Sequence, residues 1–209
     1  MKEFDGIPVY ETLREIVDPS HSCLVVWDVQ NATVERIFNK DEFVKNIKDF
    51  TAGLRGKMPF IYSKIAVGLP KGFTSSWSYY WRMKMFNVHN PDDMFKFAFS
   101  SGGMEILEDI KPFAGDIVID KYTASLFVGT YFEQLLRNKG ITTVIFTGIA
   151  TEIGIESSAR DASNRGFYPV VVSDCVSSMN KENHDRSIEN MKRMYFICEN
   201  SHAITEAVG

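Results

Sequence analysis

Three positions of this chain follow short apolar runs at places suited to chemistry. Asp28 follows the run LVVW, Lys121 follows IVID, and Gly154 lies in the turn after TTVIFT. The carboxyl ends of parallel strands meet at one edge of a sheet, so we expect the acid and the ammonium to face one crevice. Burial keeps a carboxyl protonated to higher pH, as a general acid requires. Alone, either residue is more often a turn former or a solvated side chain, but together they indicate an acid–base site.

The elements that must position these residues alternate between strand and helix. Short apolar runs predict six strands buried on both faces, at 23–27, 59–63, 117–119, 143–146, 169–172 and 195–198. Helical spacing of apolar residues and terminal glycines predict helices at 43–54, 131–138, 151–164 and 181–192. The alternation predicts a doubly wound α/β fold. In it, a mostly parallel six-stranded sheet carries helices on both faces, in a Rossmann-like three-layer arrangement.

Two segments lie outside this alternation, although 209 residues fit one domain over 1–209. We expect residues 1–20 to form an arm that packs across the surface or a partner subunit. Residues 66–99 form an insertion dense in aromatic residues, with a helix around 75–86. We predict a lid and an interface in which Trp81 and Arg82 contact the substrate; core beneath a long connection is the alternative. Its aromatic content favours a homodimer or homotetramer.

Composition argues against several classes of partner. The net charge of −4 and the scattered basic residues give no electrostatic footprint for nucleic acid. No apolar run approaches membrane-spanning length, and the first six residues are too polar for a signal peptide. The three cysteines and four histidines lack metal-ligand spacing. We therefore expect a cytoplasmic protein with a small-molecule substrate, buried reduced thiols, no metal and no cofactor.

Three motifs of this chain resemble those of the isochorismatase-like hydrolases, often called cysteine hydrolases. DVQN at 28–31, KYTAS at 121–125 and GIATEIG at 148–154 match that family's D-x-Q-N, K-x-x-x-S and G-x-x-T-[DE]-x-C. The resemblance covers about residues 20–200. It implies a catalytic set at Asp28, Lys121 and Gly154, and a cis peptide bond near positions 149 and 150. It also implies a substrate site that includes Gln30, Ile149, Ala150 and Thr151.

The chain departs from the family pattern at Gly154, where most members carry the nucleophilic Cys. Glycine has no group with which to attack, and Cys175 on the neighbouring strand end is disfavoured because a nucleophile needs tight geometry. True isochorismatases resemble this chain in carrying Gly there, and they hydrolyse a vinyl ether with a proton donor. The resemblance implies Asp28 as that acid and Lys121 as its orienting or anion-binding partner. It also implies space over Gly154 for substrate or water.

The substrate stays open, because isochorismatases hold theirs with a Gln and a Tyr where this chain has Ile65 and Ala150. Acid-catalysed vinyl-ether hydrolysis is favoured because it needs no thiol. Amide hydrolysis by water that Asp28 activates is the rival reaction, and small-molecule binding without turnover is the non-enzymatic alternative. An unused buried charge pair is costly, so retention of the Asp and the Lys favours an enzyme. We predict a small-molecule hydrolase.

Overall fold

A short hairpin, β1 (Lys2–Phe4) and β2 (Ile7–Val9), precedes the central sheet in this computed structural model, which describes residues 2–66, 72–90 and 102–209. The sheet contains six parallel strands: β3 (Ser22–Trp27), β4 (Phe60–Ile65), β5 (Ile117–Lys121), β6 (Thr143–Ile149), β7 (Tyr168–Ser177) and β8 (Ile197–Glu199). Their order is β5-β4-β3-β6-β7-β8. The strand order reverses between β3 and β6, so a crevice opens at their carboxyl ends.

Helices cover both faces of this sheet, which confirms the predicted doubly wound class. The helices are α1 (Leu13–Ile16), α2 (Asn31–Val34), α3 (Lys40–Leu54), α4 (Ser76–Phe86), α5 (Phe132–Lys139), α6 (Glu156–Asn164), α7 (Lys181–Arg193) and α8 (Ser201–Val208). Side chains of α3 and α8 pack on one face, and those of α5, α6 and α7 on the other. The predicted stripe of α3 is buried along its length: Phe43, Ile47, Phe50 and Leu54.

The predicted strands and helices match the structure with small shifts at their ends. Strand β7 continues five residues beyond its predicted end, and β8 begins at Ile197 because Tyr195 adopts a left-handed conformation and is exposed. Gly140 ends α5 in the left-handed conformation, as predicted. The prediction of a single α-helix over 151–164 is wrong for the first turn. A π-helical turn over Thr151–Ile155 precedes α6 there.

The two segments outside the alternation are described in part. Within the N-terminal arm, the ring of Tyr10 stacks on His21 at 4.4 Å between ring centroids, and it contacts Tyr168. The predicted helix of the insertion is present as α4, capped by the Ser75 hydroxyl. Residues 67–71 and 91–99 of the insertion, including its three aromatic residues beyond position 90, lie outside the described residues. Its roles as a lid and an interface, and the homo-oligomer, stay predictions.

Within the described ranges, no helix combines the length and the apolar character needed to cross a membrane.

Candidate active site

Asp28 and Lys121 meet at the carboxyl edge of the sheet although their strands are not neighbours. Asp28 directly follows β3, Lys121 ends β5, and β4 lies between them. The Lys121 Nζ lies 2.6 Å from Asp28 Oδ2, and both side chains are buried. Ser63 of β4 separates the two strands with a small side chain, and its hydroxyl donates to Asp28 Oδ1 at 2.7 Å. The pair is therefore held from three adjacent strands.

The backbone at Asp28 bends into the left-handed region, with φ of +49°. Only a minority of non-glycine residues adopt this conformation, and Asp tolerates it better than most. The Asp28 N–H donates to the Ser63 carbonyl at 3.2 Å, which fixes the bend against β4. The bend turns the chain away from the sheet at the point where the carboxylate contacts Lys121.

Burial works against the charged form of both partners. It raises the pKa of Asp28, and the Lys121 ammonium and the Ser63 hydroxyl oppose that rise. Burial also lowers the pKa of Lys121 against the pull of Asp28, and the positive charge of Arg82 lowers it further. Burial thus favours the protonated carboxyl of Asp28, while the Lys121 ammonium and the Ser63 hydroxyl favour its ionised form.

The ammonium of Lys121 has two further contacts. Its Nζ lies 3.5 Å from the centroid of the Trp27 ring, and it donates to the Thr123 carbonyl at 3.3 Å. A cation over an aromatic face is attracted by the negative charge of the π system. Trp27, the last residue of β3, therefore forms one wall of the site.

The space over Gly154 is closed, so the expectation that it admits substrate or water is wrong. A Cβ atom added at Gly154 would overlap three ring carbons of Trp27: Cε2, Cζ2 and Cη2. The N–H groups of residues 153, 154 and 155 all converge on the carbonyl of Ala150, which widens the turn into a π-helix. The indole of Trp27 occupies the place that a side chain at position 154 would need.

A cavity of about 190 Å³ opens above the pair. Its walls are mostly apolar, and their polar side chains include Asp28, Lys121, Thr33, Thr123 and two arginines. Small-molecule sites commonly have this composition, an apolar enclosure with a few convergent polar groups. The predicted substrate contacts that line it are Trp81, Arg82, Ile149 and Ala150. The peptide bond between Ile149 and Ala150 is cis, which confirms the expectation drawn from the resemblance.

Two of the predicted substrate-binding residues lie outside the cavity wall. The Gln30 amide donates to the Met104 carbonyl at 2.8 Å and accepts from the Ile65 N–H at 2.9 Å. The Thr151 hydroxyl lies 3.1 Å from the Ser177 carbonyl and 2.8 Å from His184 Nδ1. Both side chains are buried and engaged with the protein. These contacts suit a structural role, in which both side chains hold the backbone segments around the site in place.

Trp27 and Ser63 are two further site residues, which were not predicted from the sequence. Each lies at or near the end of a strand that borders the predicted acid, and this nearness to Asp28 was the available signal. Ser63 could have been found as a small polar residue in an otherwise apolar run. The contact between Trp27 and Gly154 joins positions 127 residues apart, the difference between 154 and 27, so it needed the structure.

The native thiols lie away from the cavity. Cys23 and Cys175 are buried in the hydrophobic clusters on opposite faces of the sheet, and Cys198 is partly buried. Burial raises the pKa of Cys175, and the nearby Asp174 carboxylate raises it further. A thiol kept protonated is a poor nucleophile. Among the residues that the structure describes, no group of three or more His, Cys, Asp or Glu side chains could hold a metal ion.

The sheet order, the cis peptide and the buried acid–lysine pair define an α/β protein of the isochorismatase type. The family model for the isochorismatase domain matches residues 22–201, so the chain belongs to the isochorismatase family.

Curated relatives to which this chain is similar include three amidohydrolases. Ureidoacrylate amidohydrolase RutB of Enterobacter sp. (strain 638) is 27% identical over 184 residues, with 78% of each chain covered. Maleamate amidohydrolase of Pseudomonas putida is 34% identical over 88 residues, which are 42% of this chain and 41% of that enzyme. The RutB protein of Pseudomonas savastanoi pv. phaseolicola is 39% identical over 72 residues, which are 34% of this chain and 29% of that protein. The last two matches thus span less than half the length of those relatives.

Solved structures share the fold. A cysteine hydrolase from Pseudomonas syringae pv. phaseolicola 1448A has a TM-score of 0.79 at 18% identity, covering 92% of this chain and 94% of that one. The N-carbamoylsarcosine amidase from Thermoplasma acidophilum has a TM-score of 0.66 at 24% identity, covering 87% and 96%.

Proposed function

We propose that this protein is a hydrolase of a small organic molecule that uses Asp28 as general acid and forms no covalent enzyme intermediate. The observation that carries the proposal is the buried contact of Asp28 with Lys121, 2.6 Å between Oδ2 and Nζ, in the wall of an apolar cavity. Gly154 supplies no nucleophile, and the Trp27 ring fills the space beside it. Membership of the isochorismatase family supports hydrolysis as the reaction class.

Vinyl-ether hydrolysis is the reaction that suits this pair best. Asp28 donates its proton to the terminal alkene carbon, and the ether oxygen stabilises the oxocarbenium ion that results. Water adds to that cation and returns a proton to the Asp28 carboxylate. The hemiketal then collapses to a ketone and an alcohol. The acid must carry a proton near working pH, and the burial that raises the pKa of Asp28 favours that form.

Lys121 has two tasks in this proposal. Its ammonium stabilises the carboxylate that remains after proton donation, across the 2.6 Å contact. With Arg82 in the same cavity wall, it also gives the site a positive character. An apolar enclosure lined by Lys121 and two arginines suits a substrate that combines a hydrocarbon body with a carboxylate.

Amide hydrolysis is the second candidate, because several relatives carry amidohydrolase names. Here an ionised Asp28 would take a proton from water, and the hydroxide would attack the carbonyl carbon. Lys121 would then supply the proton that the leaving amine needs. This route starts from the ionised carboxyl of Asp28 instead of the protonated one, so substrate class and pH dependence separate it from the first.

A panel of substrates tests the proposal. Wild type is assayed on enol ethers, isochorismate, small amides and carbamoyl compounds, and binding of each is followed by thermal shift. Turnover of an enol ether supports acid catalysis. Turnover restricted to amides or carbamoyl compounds selects the activated-water route. Binding without turnover across the panel contradicts the hydrolase proposal and favours a small-molecule receptor.

A further inference from the structure

Trp27, which lines the cavity, and Gly154 form a size-complementary pair. A Cβ at position 154 would lie within 3.0 Å of the indole carbons, closer than real Cβ contacts essentially ever come. The φ angle of Gly154 lies outside the left-handed region, so its backbone would accept any L residue. The ring of Trp27 is therefore what excludes a side chain there.

The face of the same ring contacts the ammonium of Lys121. The Lys121 Nζ lies 3.5 Å from the centroid of the Trp27 ring and 2.6 Å from Asp28 Oδ2. A side chain at position 154 would enter the volume that the ring now occupies. It would consequently lie beside the ammonium as soon as the ring were removed.

Packing and the ammonium hold the ring in this place. Trp27 is 4% exposed and belongs to the core cluster that includes Ile155 and Ala159. Its indole N–H is buried and has no hydrogen-bond partner among the described residues. A substitution at position 27 therefore removes no hydrogen bond within that part of the chain.

We propose that Trp27 is the residue that determines which chemistry this site performs, because its indole excludes a nucleophilic side chain from contact with the Asp28–Lys121 pair. A small residue at position 27 together with Cys at position 154 would give this chain a reactive thiol beside Lys121. The inference rests on the proposed function only in assigning that pair to the active site. Its tests measure melting temperature and thiol reactivity, so their outcome does not depend on whether the protein turns over a substrate.

The first test is a double-mutant cycle of melting temperatures. Gly154→Ala adds only a Cβ, and we expect it to lower the Tm of the wild type by roughly 5 °C or more. In a Trp27→Val background, the same substitution should leave the Tm unchanged or raise it. Gly53→Ala is the matched control, because its Cβ would meet only the Thr205 methyl, at an ordinary 3.8 Å. Equal losses in both backgrounds, or no loss in the wild type, would overturn the proposal.

The second test measures the thiol in the double variant Trp27→Val/Gly154→Cys. Iodoacetamide reacts with a thiolate, forming a C–S bond as the C–I bond breaks and iodide leaves, and peptide mass mapping counts the product at position 154. A synthetic peptide of residues 148–160 with the same Gly154→Cys change is the reference. A nearby ammonium lowers a thiol pKa, so we expect alkylation at pH 7 roughly tenfold faster in the folded variant than in the peptide.

The pH profile of this alkylation completes the test. Its midpoint should lie below that of the peptide in the double variant, and it should move back towards the peptide value when Lys121→Met is added. Coincident midpoints in the folded double variant and the peptide would overturn the proposal. If the cysteine variants do not fold, the cycle with alanine still decides whether the ring excludes the side chain.

Discussion

The Ser63 hydroxyl and the Lys121 ammonium contact opposite oxygens of the Asp28 carboxylate. Ser63 donates to Oδ1 at 2.7 Å, while Lys121 Nζ lies 2.6 Å from Oδ2. Both favour the ionised carboxylate, whereas burial disfavours it and is the largest influence on its pKa. Burial, the Lys121 ammonium and the Ser63 hydroxyl therefore together set the protonation state of Asp28. Substitution of Lys121 or Ser63 removes one of these contributions.

Removal of Lys121 should raise the pKa of Asp28 further. Lys121→Met deletes the positive charge that opposes burial, so the carboxyl should stay protonated to higher pH than in the wild type. The general-acid form is the protonated one, so activity should decline as pH rises through this pKa. NMR titration of the ¹³C-labelled aspartate carboxyls measures it without a substrate. A titration of Asp28 at or below its wild-type midpoint in the variant would contradict the assigned contact.

Removal of the Ser63 hydroxyl should cost stability. Ser63→Ala deprives a buried carboxylate of its donor, at a cost of about 1–3 kcal/mol in the free energy of unfolding. Urea denaturation measures that loss. Ser20→Ala is the control, because its hydroxyl donates to Asp18 at 2.6 Å on the exposed surface, where we expect a change within about 0.5 kcal/mol. Equal losses in the two variants would contradict the buried role of Ser63.

Activity should be independent of the native thiols. Cys175 is buried away from the cavity and its pKa is raised, so it is kept as a neutral thiol. We expect Cys175→Ala to retain turnover within about twofold, since the thiol takes no part in the proton transfer. Incubation of the folded wild type with iodoacetamide should likewise leave turnover intact. Loss of activity that follows alkylation at position 175 would show that a cysteine participates.

Arg82 should affect substrate affinity more than the chemical step. It lines the cavity on α4 and lies close enough to Lys121 to lower the pKa of that lysine. For a substrate that carries a carboxylate, Arg82→Gln should raise KM roughly tenfold with kcat little changed, because a charged hydrogen bond contributes about 1.5–3 kcal/mol. Arg82→Lys keeps the charge and should recover part of that affinity. An equal rise in KM for a neutral substrate would contradict anion recognition.

The sheet and the acid–lysine pair could be predicted because their signals are local. Apolar runs mark buried strands, and a polar residue just beyond such a run faces the carboxyl edge of a parallel sheet. Asp28 and Lys121 carry that signal, and the structure brings them together. The fold follows from the same runs together with the motifs shared with the isochorismatase family.

The filling of the space at Gly154 could not be predicted, because it depends on packing between distant parts of the chain. In the sequence, Gly154 indicates only that the nucleophile is absent, and Trp27 resembles any core residue at the end of a strand. Their complementarity appears only when β3 and β6 lie side by side. Gln30 and Thr151 also show this limit, since a buried polar side chain can satisfy backbone groups instead of meeting a substrate.

In the proposed reaction, Asp28 donates the proton that starts hydrolysis. The most direct test compares initial rates of wild type and Asp28→Asn on the enol ethers and isochorismate, with binding and folding checked by thermal shift and circular dichroism. We expect the asparagine variant to stay folded, to bind the same compounds and to lose about 10²–10⁴-fold in kcat. Enol-ether turnover in the folded variant at the wild-type rate would contradict proton donation by Asp28.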